Sequence, residues 1–521
     1  MRIARTMIVG LGVLAAASAA HAQLRVASWN LTEYGGEVSR TAAFEDSLFL
    51  SFAGRIFAPD VIILQEVETA AAAQAFRTLM DEAPGSPGDY ALATFVNGND
   101  SDSACVYRDT RLTLVGTTVA VTGGGAGMTV RNVMRYQFRP LGYASAGATL
   151  YLYSGHLKAG GPGGVDQDRR AEEGVLVRSV LNALPAGSRF IFGGDFNMYS
   201  SSEPAWTTLT GSQADNDGRL FDPINRAGNW HIGAAFASVH TQSPGCRPGD
   251  GGMDDRFDFL LLSDALSSGQ GLSYIGNRAI PFGSGWNDPN HSFRVWGNDA
   301  TSFNDCIEVT ANAMVGPVIA QALIDHFEGT SSPPHLPIFM DLRVPARAAV
   351  SVASIDFGTV ALGSVAQQSF TITNSASVAT FSKDGTGFGI DGLTYSLMIT
   401  AGFTVIGPAG PFEEPADAAA AGNLHTIQLD TSTVGPRMGT LTIASDDPDA
   451  PLLVLNLTGS VVSAADYDVN NDGEVTIEDL YAWHVLATDV DGNGVVNNAD
   501  RAALLYELRR LETADVTSGR R

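Results

Sequence analysis

Apolar and polar positions along this chain follow two periods, and the places where one period yields to the other outline its organisation. Residues 24–30 alternate like a strand that ends in Asn30. Helical spacing of apolar residues over 44–57 follows, broken by Pro59-Asp60. Residues 61–64 form an apolar run leading into Gln65-Glu66-Val67, and 69–80 reads as an alanine-rich helix. Strands are expected over 90–95, 104–108, 112–121, 131–139 and 149–154, the last running into Gly155-His156-Leu157-Lys158. A glycine-rich loop, 160–164, precedes a helix over 168–184. Next comes the short run Phe190-Ile191-Phe192, after which Gly193 and Gly194 permit a tight turn into Asp195-Phe196-Asn197. The stretch 228–305 is loop-rich apart from one strand, 256–262; a helix over 315–327 and a last strand over 336–342 close the region. Strands and helices that alternate in this way predict a layered α/β domain over 23–345.

Beyond residue 346 the texture changes. Runs at 355–360, 369–373, 394–400, 424–429, 439–444 and 452–457 alternate without a helical segment and are separated by Gly, Pro, Asn and Asp. That pattern predicts an immunoglobulin-like β-sandwich over 350–462. Past Ser463 two twelve-residue acidic loops repeat. The first carries Asp468, Asn470, Asp472, Glu474 and Asp479; the second carries Asp489, Asp491, Asn493, Val495 and Asp500. Oxygen ligands at odd positions, a backbone carbonyl at the seventh (Glu474, Val495) and a glycine at the sixth (Gly473, Gly494) suit a Ca2+ ion. An amphipathic helix follows each loop, over 477–487 and 499–511. No helix enters the first loop, and each loop ends in aspartate in place of glutamate. In these features residues 465–511 resemble a type I dockerin. The resemblance implies calcium-dependent folding and docking onto a cohesin-like partner.

Length and composition add three constraints. A chain of 521 residues is too long for one core. Arg2 and Arg5, an apolar stretch over 7–17 and Ala20-His21-Ala22 make residues 1–22 a secretory signal peptide, which implies a secreted or cell-surface-associated protein. In that oxidising setting Cys246 and Cys306, in loop-like sequence, are a candidate disulfide pair, whereas Cys105 alternates with apolar neighbours as a buried strand thiol. The net charge of −25 argues against broad electrostatic attraction to nucleic acid or anionic membrane, and suits carboxylates that bind divalent cations. Lys158 and Lys383 are the only lysines. GxSxG, CxxC, HExxH and Walker motifs are absent, which removes support for serine-hydrolase, thiol-redox, zincin and P-loop chemistry.

Chemistry-bearing residues collect at the ends of the apolar runs in the first region: Asn30, Glu66, His156, Asp195, Asn197, Asp258 and His335. One sheet edge carrying all of them would form an active site. In this order and context the set resembles the endonuclease/exonuclease/phosphatase (DNase I-like) superfamily. The resemblance implies a four-layer α/β (α+β) sandwich and metal-assisted hydrolysis of a phosphoester, most simply a nuclease acting on DNA or RNA. Glu66, with Asn30, would hold Mg2+ or Mn2+; Asp195 would align or deprotonate water; Asn197 would bind a phosphoryl oxygen. Asp258 would orient His335, and His156 would stabilise charge at phosphorus. Arg131 and Lys158 are candidate phosphate contacts, while Tyr107 and His240 have positional support only. Relatives carry Asp-His at the start of the last strand, where this chain has Pro334-His335. Asp325-His326 offers the dipeptide only at a helix end. Alternative readings are a phospholipase C-like or sugar-phosphate phosphatase activity at the same site, or a non-catalytic scaffold-attached protein.

Overall fold

In the computed structural model, which describes residues 23–125, 129–245, 251–327, 329–376, 391–415, 422–463 and 466–518, the first apolar runs become β1 (Leu24–Tyr34) and β2 (Val61–Val67). Both are buried along nearly their whole length, as strands must be when each face is covered. The expected leader, 1–22, and Cys246 lie outside the described residues. The described chain falls into two compact units, 23–345 with Asp391, and 346–376 with 392–518. Among the described residues no helix is long and apolar enough to cross a membrane.

In the first unit α1 (Thr41–Phe49) lies between β1 and β2, and α2 (Ala70–Glu82) follows β2. Next come β3 (Tyr90–Leu92), β4 (Asp102–Arg108), β5 (Leu112–Val121), β6 (Val133–Pro140), β7 (Leu150–His156), α3 (Gly164–Asn182), β8 (Arg189–Asp195) and α4 (Pro204–Thr210). The unit ends with β9 (Leu220–Phe221), β10 (Asp258–Ser263), β11 (Ser273–Tyr274), β12 (Arg294–Val295), α5 (Gly316–Asp325) and β13 (Ile338–Arg343). One sheet has the order β11-β13-β1-β2-β4-β3, with β12 also on β13; the other has the order β5-β6-β7-β8-β10-β9. The sheets share a core that joins Ile63, Leu152, Ile191 and Leu260, while α3 and α4 cover the outer face of the second sheet through Val177, Leu181 and Trp206. Phe44 of α1, Phe76 of α2 and Leu323 of α5 close the first sheet. The result is a helix-sheet-sheet-helix sandwich.

Two local expectations are corrected. The helix expected over 44–57 stops at Phe49, because Ala53 (φ 49°) and Gly54 (φ 76°) form a turn that pairs Phe52 with Arg55; positive φ cannot continue a right-handed helix. Phe57 still reaches the core, which explains the misleading spacing. Nor do Gly193 and Gly194 turn the chain: β8 runs through both to Asp195. Their purpose is close approach. A Cβ on Gly194 (φ 133°) would overlap the Gly155 carbonyl oxygen, and one on Gly155 would lie 2.6 Å from the Phe192 ring. Gly155→Ala is therefore expected to destabilise the protein by about 1–3 kcal/mol. A urea midpoint equal to that of the parent would show that the ring yields without cost.

In the second unit β14 (Ala348–Val350), β15 (Ser354–Ala361), β16 (Gln367–Asn374), β17 (Leu393–Ile399), β18 (Phe403–Ile406), β19 (Phe412–Glu414), β20 (Asn423–Leu429), β21 (Gly435–Ser445) and β22 (Leu452–Val462) form two sheets. Their orders are β14-β16-β20-β18 and β15-β22-β21-β17-β19, around a core containing Phe370, Ile372, Tyr395, Ile427, Leu441 and Ile443. Three short strands, β14, β18 and β19, escaped the pattern because each spans no more than four residues. Helices α6 (Ile477–Leu486) and α7 (Asn498–Ser518) follow, with Leu480, Trp483, Val490 and Leu504 as their small core.

Candidate active site

Strand direction decides which residues meet. Parallel pairing of β1 with β2 brings Asn30 beside Gln65, and parallel pairing of β7 with β8 sets His156 directly beside Asp195. β10 runs the other way, so its first residue, Asp258, lies opposite the last residue of β8, Asp195. β13 is also antiparallel to β1, which brings His335, three residues before β13, to the same edge. The site thus gathers the carboxyl ends of four strands and the amino ends of two.

The side chains converge there. Asn30 Nδ2 donates to Glu66 Oε1 at 2.9 Å and to Asp195 Oδ2 at 3.0 Å, so the amide links the two carboxylates, while its Oδ1 accepts from Thr32 N at 3.0 Å. His156 Nε2 lies 3.4 Å, and His335 Nε2 3.7 Å, from Asp195 Oδ2. His335 Nδ1 pairs with Asp258 Oδ2 at 2.7 Å, and Gln242 Nε2 lies 3.2 Å from its other ring nitrogen. Asn197 N donates to Asp195 Oδ1 at 3.0 Å, and its amide donates to Leu157 O at 3.3 Å. Glu66, His156 and Asp195 each offer an atom within 4.8 Å of the others, the spacing of ligands around one cation. Thr32, Glu33, Glu66 and Asn197 all have φ between 50° and 57°. Clustering of left-handed, non-glycine backbone at one place is costly and is characteristic of functional sites. Glu66 Oε2 helps to hold this geometry by accepting from Glu33 N at 2.9 Å.

Burial makes the electrostatics steep. It pushes the Asp195 carboxyl up to about 7; His335 opposes this, and Asp258 and Glu66 add to it. Burial alone would lower His335, but Asp258 and then Asp195 reverse the effect and raise it to about 9. Burial, followed by repulsion from Arg131 and His335, holds His156 well below its ordinary value. The two imidazoles therefore differ near neutral pH: His335 is cationic and His156 is neutral. Asp258→Asn removes the partner that orients His335 and sustains its charge. It is expected to lower kcat by about 100-fold with a smaller change in KM; steady-state kinetics on any turned-over substrate check this.

The softer candidates lie nearby in different settings. Arg131 precedes β6 and does not sit in it; it pairs with Asp100 at 3.0 Å and reaches Leu157 O at 3.5 Å. Lys158 does not share the face of His156, because β7 ends at His156; its ammonium pairs with Asp166 at 3.1 Å. Tyr107 packs on Phe138, and His240 is buried with Nδ1 at 3.1 Å from Met253 O. Asp325 ends α5, while His326 is buried against Trp29 and Phe44. Gln242 and Glu173 escaped the sequence reading. Glu173, buried on α3, accepts from Val130 N at 2.7 Å and Lys158 N at 2.8 Å, which fixes the loop after His156. Only a charged residue on a helix's buried face hinted at it. Cys306 is disulfide-bonded, and Cys105 is a free, buried thiol.

The acidic loops of the second unit are built around their first and last carboxylates. Asp468 accepts from Asp472 N and Gly473 N, and Asp479 accepts from Asn470 N and Thr476 N. Asp489 accepts from Asn493 N and Gly494 N, and Asp500 from Val490 N, Asp491 N and Asn497 N. Asp479 and Asp500 are fully buried, whereas Glu474 and Val495 are exposed. Asp489, Asp491 and Asp500 offer oxygens within 4.8 Å of one another.

No curated protein matches the sequence. Among solved structures, D. rerio TDP2 complexed with single strand DNA product is similar at 14% identity, over 62% of this chain and 99% of that one, with a TM-score of 0.38. The human Nocturnin catalytic domain with bound sulfate anion is similar at 15% identity, over 62% and 94%, with a TM-score of 0.36. Beta toxin from Staphylococcus aureus is similar at 13% identity, over 61% and 99%, with a TM-score of 0.35. Residues 29–285, which carry every clustered side chain except His335, match the model of the Endonuclease/Exonuclease/phosphatase family. The chain accordingly carries a domain of that family and is a phosphoric ester hydrolase.

Proposed function

We propose that the first unit is a divalent-metal-dependent phosphodiesterase that hydrolyses DNA or RNA by in-line attack of water. The convergence of Glu66, His156 and Asp195 within 4.8 Å, beside the Asp258–His335 pair, carries this reading. The donor set fits a hard cation: Glu66 and Asp195 present oxygens to one point, and a single imidazolium is too little to balance the surrounding carboxylates. Glu66, with Asn30 beside it, would hold magnesium or manganese. When bound, the cation supplies neutralisation of charge on the phosphoryl oxygens.

The chain's own groups perform the remaining work. Asp195 Oδ takes a proton from the attacking water as its oxygen approaches phosphorus. The Asn197 amide donates to a non-bridging oxygen and fixes the phosphate against that water. Cationic His335, held by Asp258, donates to the charge that develops in the transition state, and His156 donates from the opposite flank of Asp195. Donors placed before reaction begins need no reorganisation, which is the main source of such catalysis. The test is hydrolysis of DNA, RNA, sphingomyelin and p-nitrophenyl phosphate in parallel, with magnesium, manganese or EDTA. Metal-dependent cleavage of nucleic acid supports the reading; turnover confined to the lipid or the monoester overturns its substrate assignment.

We further propose that residues 1–22 direct export, that the sandwich is immunoglobulin-like, and that the tail is a dockerin-like module that folds around Ca2+ and docks on a cohesin-like partner. The repeated loops support this, because each draws its backbone amides onto two aspartates, and in the second Asp489, Asp491 and Asp500 bring oxygens close enough to share a cation. Calcium added to the EDTA-treated full chain is expected to slow hydrogen exchange across 466–511 by at least about tenfold. The effect should vanish in Asp468→Ala/Asp489→Ala; equal exchange with and without calcium would refute it.

A further inference from the structure

On the edge of the second sheet a pocket of about 330 Å³ is lined by Arg219, Arg226 and Arg278 together with Phe221, Trp206 and Asp222. Three guanidinium groups around one cavity are unexpected in a chain of net charge −25. Asp222 does not neutralise them, because Arg256 holds both its oxygens at 2.9 Å. Asp264 takes one nitrogen of Arg278. Among the described residues neither the Arg219 nor the Arg226 guanidinium forms an ion pair with a carboxylate; Arg219 Nε donates to Thr210 O at 2.7 Å and Arg226 Nη2 to Ala235 O. Two buried nitrogens of the lining, Arg226 Nε and Arg278 Nη1, have no hydrogen-bond acceptor there. Burial, followed by repulsion from Arg256, lowers the Arg226 guanidinium below its ordinary value. Both of those nitrogens are closed to solvent and are not the groups a ligand would meet; what an anion in the cavity would offset is the charge of three guanidinium groups of which only Arg278 has a carboxylate partner.

Shape narrows the class of anion. The Arg219 and Arg278 guanidinium carbons lie 4.9 and 3.8 Å from the centre of the Phe221 ring. Stacking on an aromatic ring holds a guanidinium group flat; with its Nε donating to Thr210 O, Arg219 keeps its two terminal nitrogens for the forked pair of hydrogen bonds that matches phosphate. Flat guanidinium surfaces also suit a planar ring, and the volume fits one ligand of mononucleotide size. Phe221 pairs with Leu262 of β10, four residues beyond Asp258, so the pocket lies about 13 Å along that strand from the catalytic edge.

We infer that this pocket is a second site, separate from the catalytic edge, that binds a phosphate monoester carrying a planar ring, of which a free nucleoside monophosphate is the simplest case. The inference stands on the pocket alone and does not depend on the catalytic proposal. Calorimetric titration of the full chain in EDTA with 5′-AMP, ribose 5-phosphate and adenosine tests it. AMP is expected to bind one to one, with adenosine at least about tenfold weaker because it lacks the phosphate. Ribose 5-phosphate is expected to fall between them. Arg219→Gln/Arg278→Gln should weaken AMP by at least about tenfold, and Arg219→Lys, which keeps the charge but loses the fork, by a smaller factor. Thermal melting shows whether each variant folds, and Arg219→Lys serves if the double variant does not. No AMP binding, adenosine binding as tightly as AMP, or an affinity that Arg219→Lys and the double variant both leave unchanged would each overturn the inference.

Discussion

Asp195→Asn is expected to lower kcat by about 10³- to 10⁵-fold while leaving the melting temperature unchanged or raised. The two halves of this expectation have one cause. Asp195 is 2% exposed, and burial pushes its carboxyl up to about 7. A folded-state pKa above the unfolded value means that the ionised side chain opposes folding at and above neutral pH, a penalty lost as the pH falls and the group protonates. Asparagine has the same shape and carries no charge, so the penalty disappears with the base. Its Nδ2 would face the Asn30 amide that donates to Asp195 Oδ2 at 3.0 Å, which offsets this gain only in part. Its amide retains an oxygen to accept from Asn197 N, as Asp195 Oδ1 does at 3.0 Å. The variant nevertheless has no group to take a proton from water. Kinetics with thermal melting at pH 7.5 check both halves. Activity within tenfold of the parent would remove Asp195 from the base's role, and a large fall in melting temperature would show that its charge is structurally needed.

Arg170→Met is expected to destabilise the protein by about 3–5 kcal/mol. Arg170 and Glu203 form a forked pair at 2.9 and 3.2 Å, and neither is more than 1% exposed. The guanidinium also donates to the carbonyls of Lys158, Gly160 and Gly161 at 3.1–3.2 Å. Glu203 accepts from Tyr199 N at 2.8 Å. One pair thus fastens α3 to the loop after His156 and to the loop after Asn197. Removing only the cation leaves a buried carboxylate and three carbonyls without their donors, which costs more than the pair itself contributes. Arg170→Met/Glu203→Leu should recover part of the loss. Urea unfolding of both variants decides; a single variant within about 1 kcal/mol of the parent would show that water replaces the guanidinium.

The strand-end chemistry was legible because it is local. Asn30, Glu66, His156 and Asp195 each terminate an apolar run, and such runs report burial without knowledge of the partner strand. Other parts were not legible. Spacing at 44–57 signalled a helix because Phe57 is buried like Phe44 and Leu48, although an Ala53-Gly54 turn intervenes. Lys158 looked like a neighbour of His156 on an extended face, but the strand ends first and the lysine turns to Asp166.

By itself, then, the sequence determined the succession of strands and helices, the change of texture near residue 346 and the residue types able to do phosphoester chemistry. These are properties of short segments, written in periods of two and 3.6 residues. Only the tertiary structure decided that β10 and β13 arrive reversed, so that Asp258 and His335 meet Asp195 at their strands' amino ends. It alone placed Gln242 on His335, Glu173 under Lys158, Arg170 on Glu203 and three arginines around Phe221. Each such contact joins elements through sheet order and register, and those depend on how whole layers pack, which no local period records.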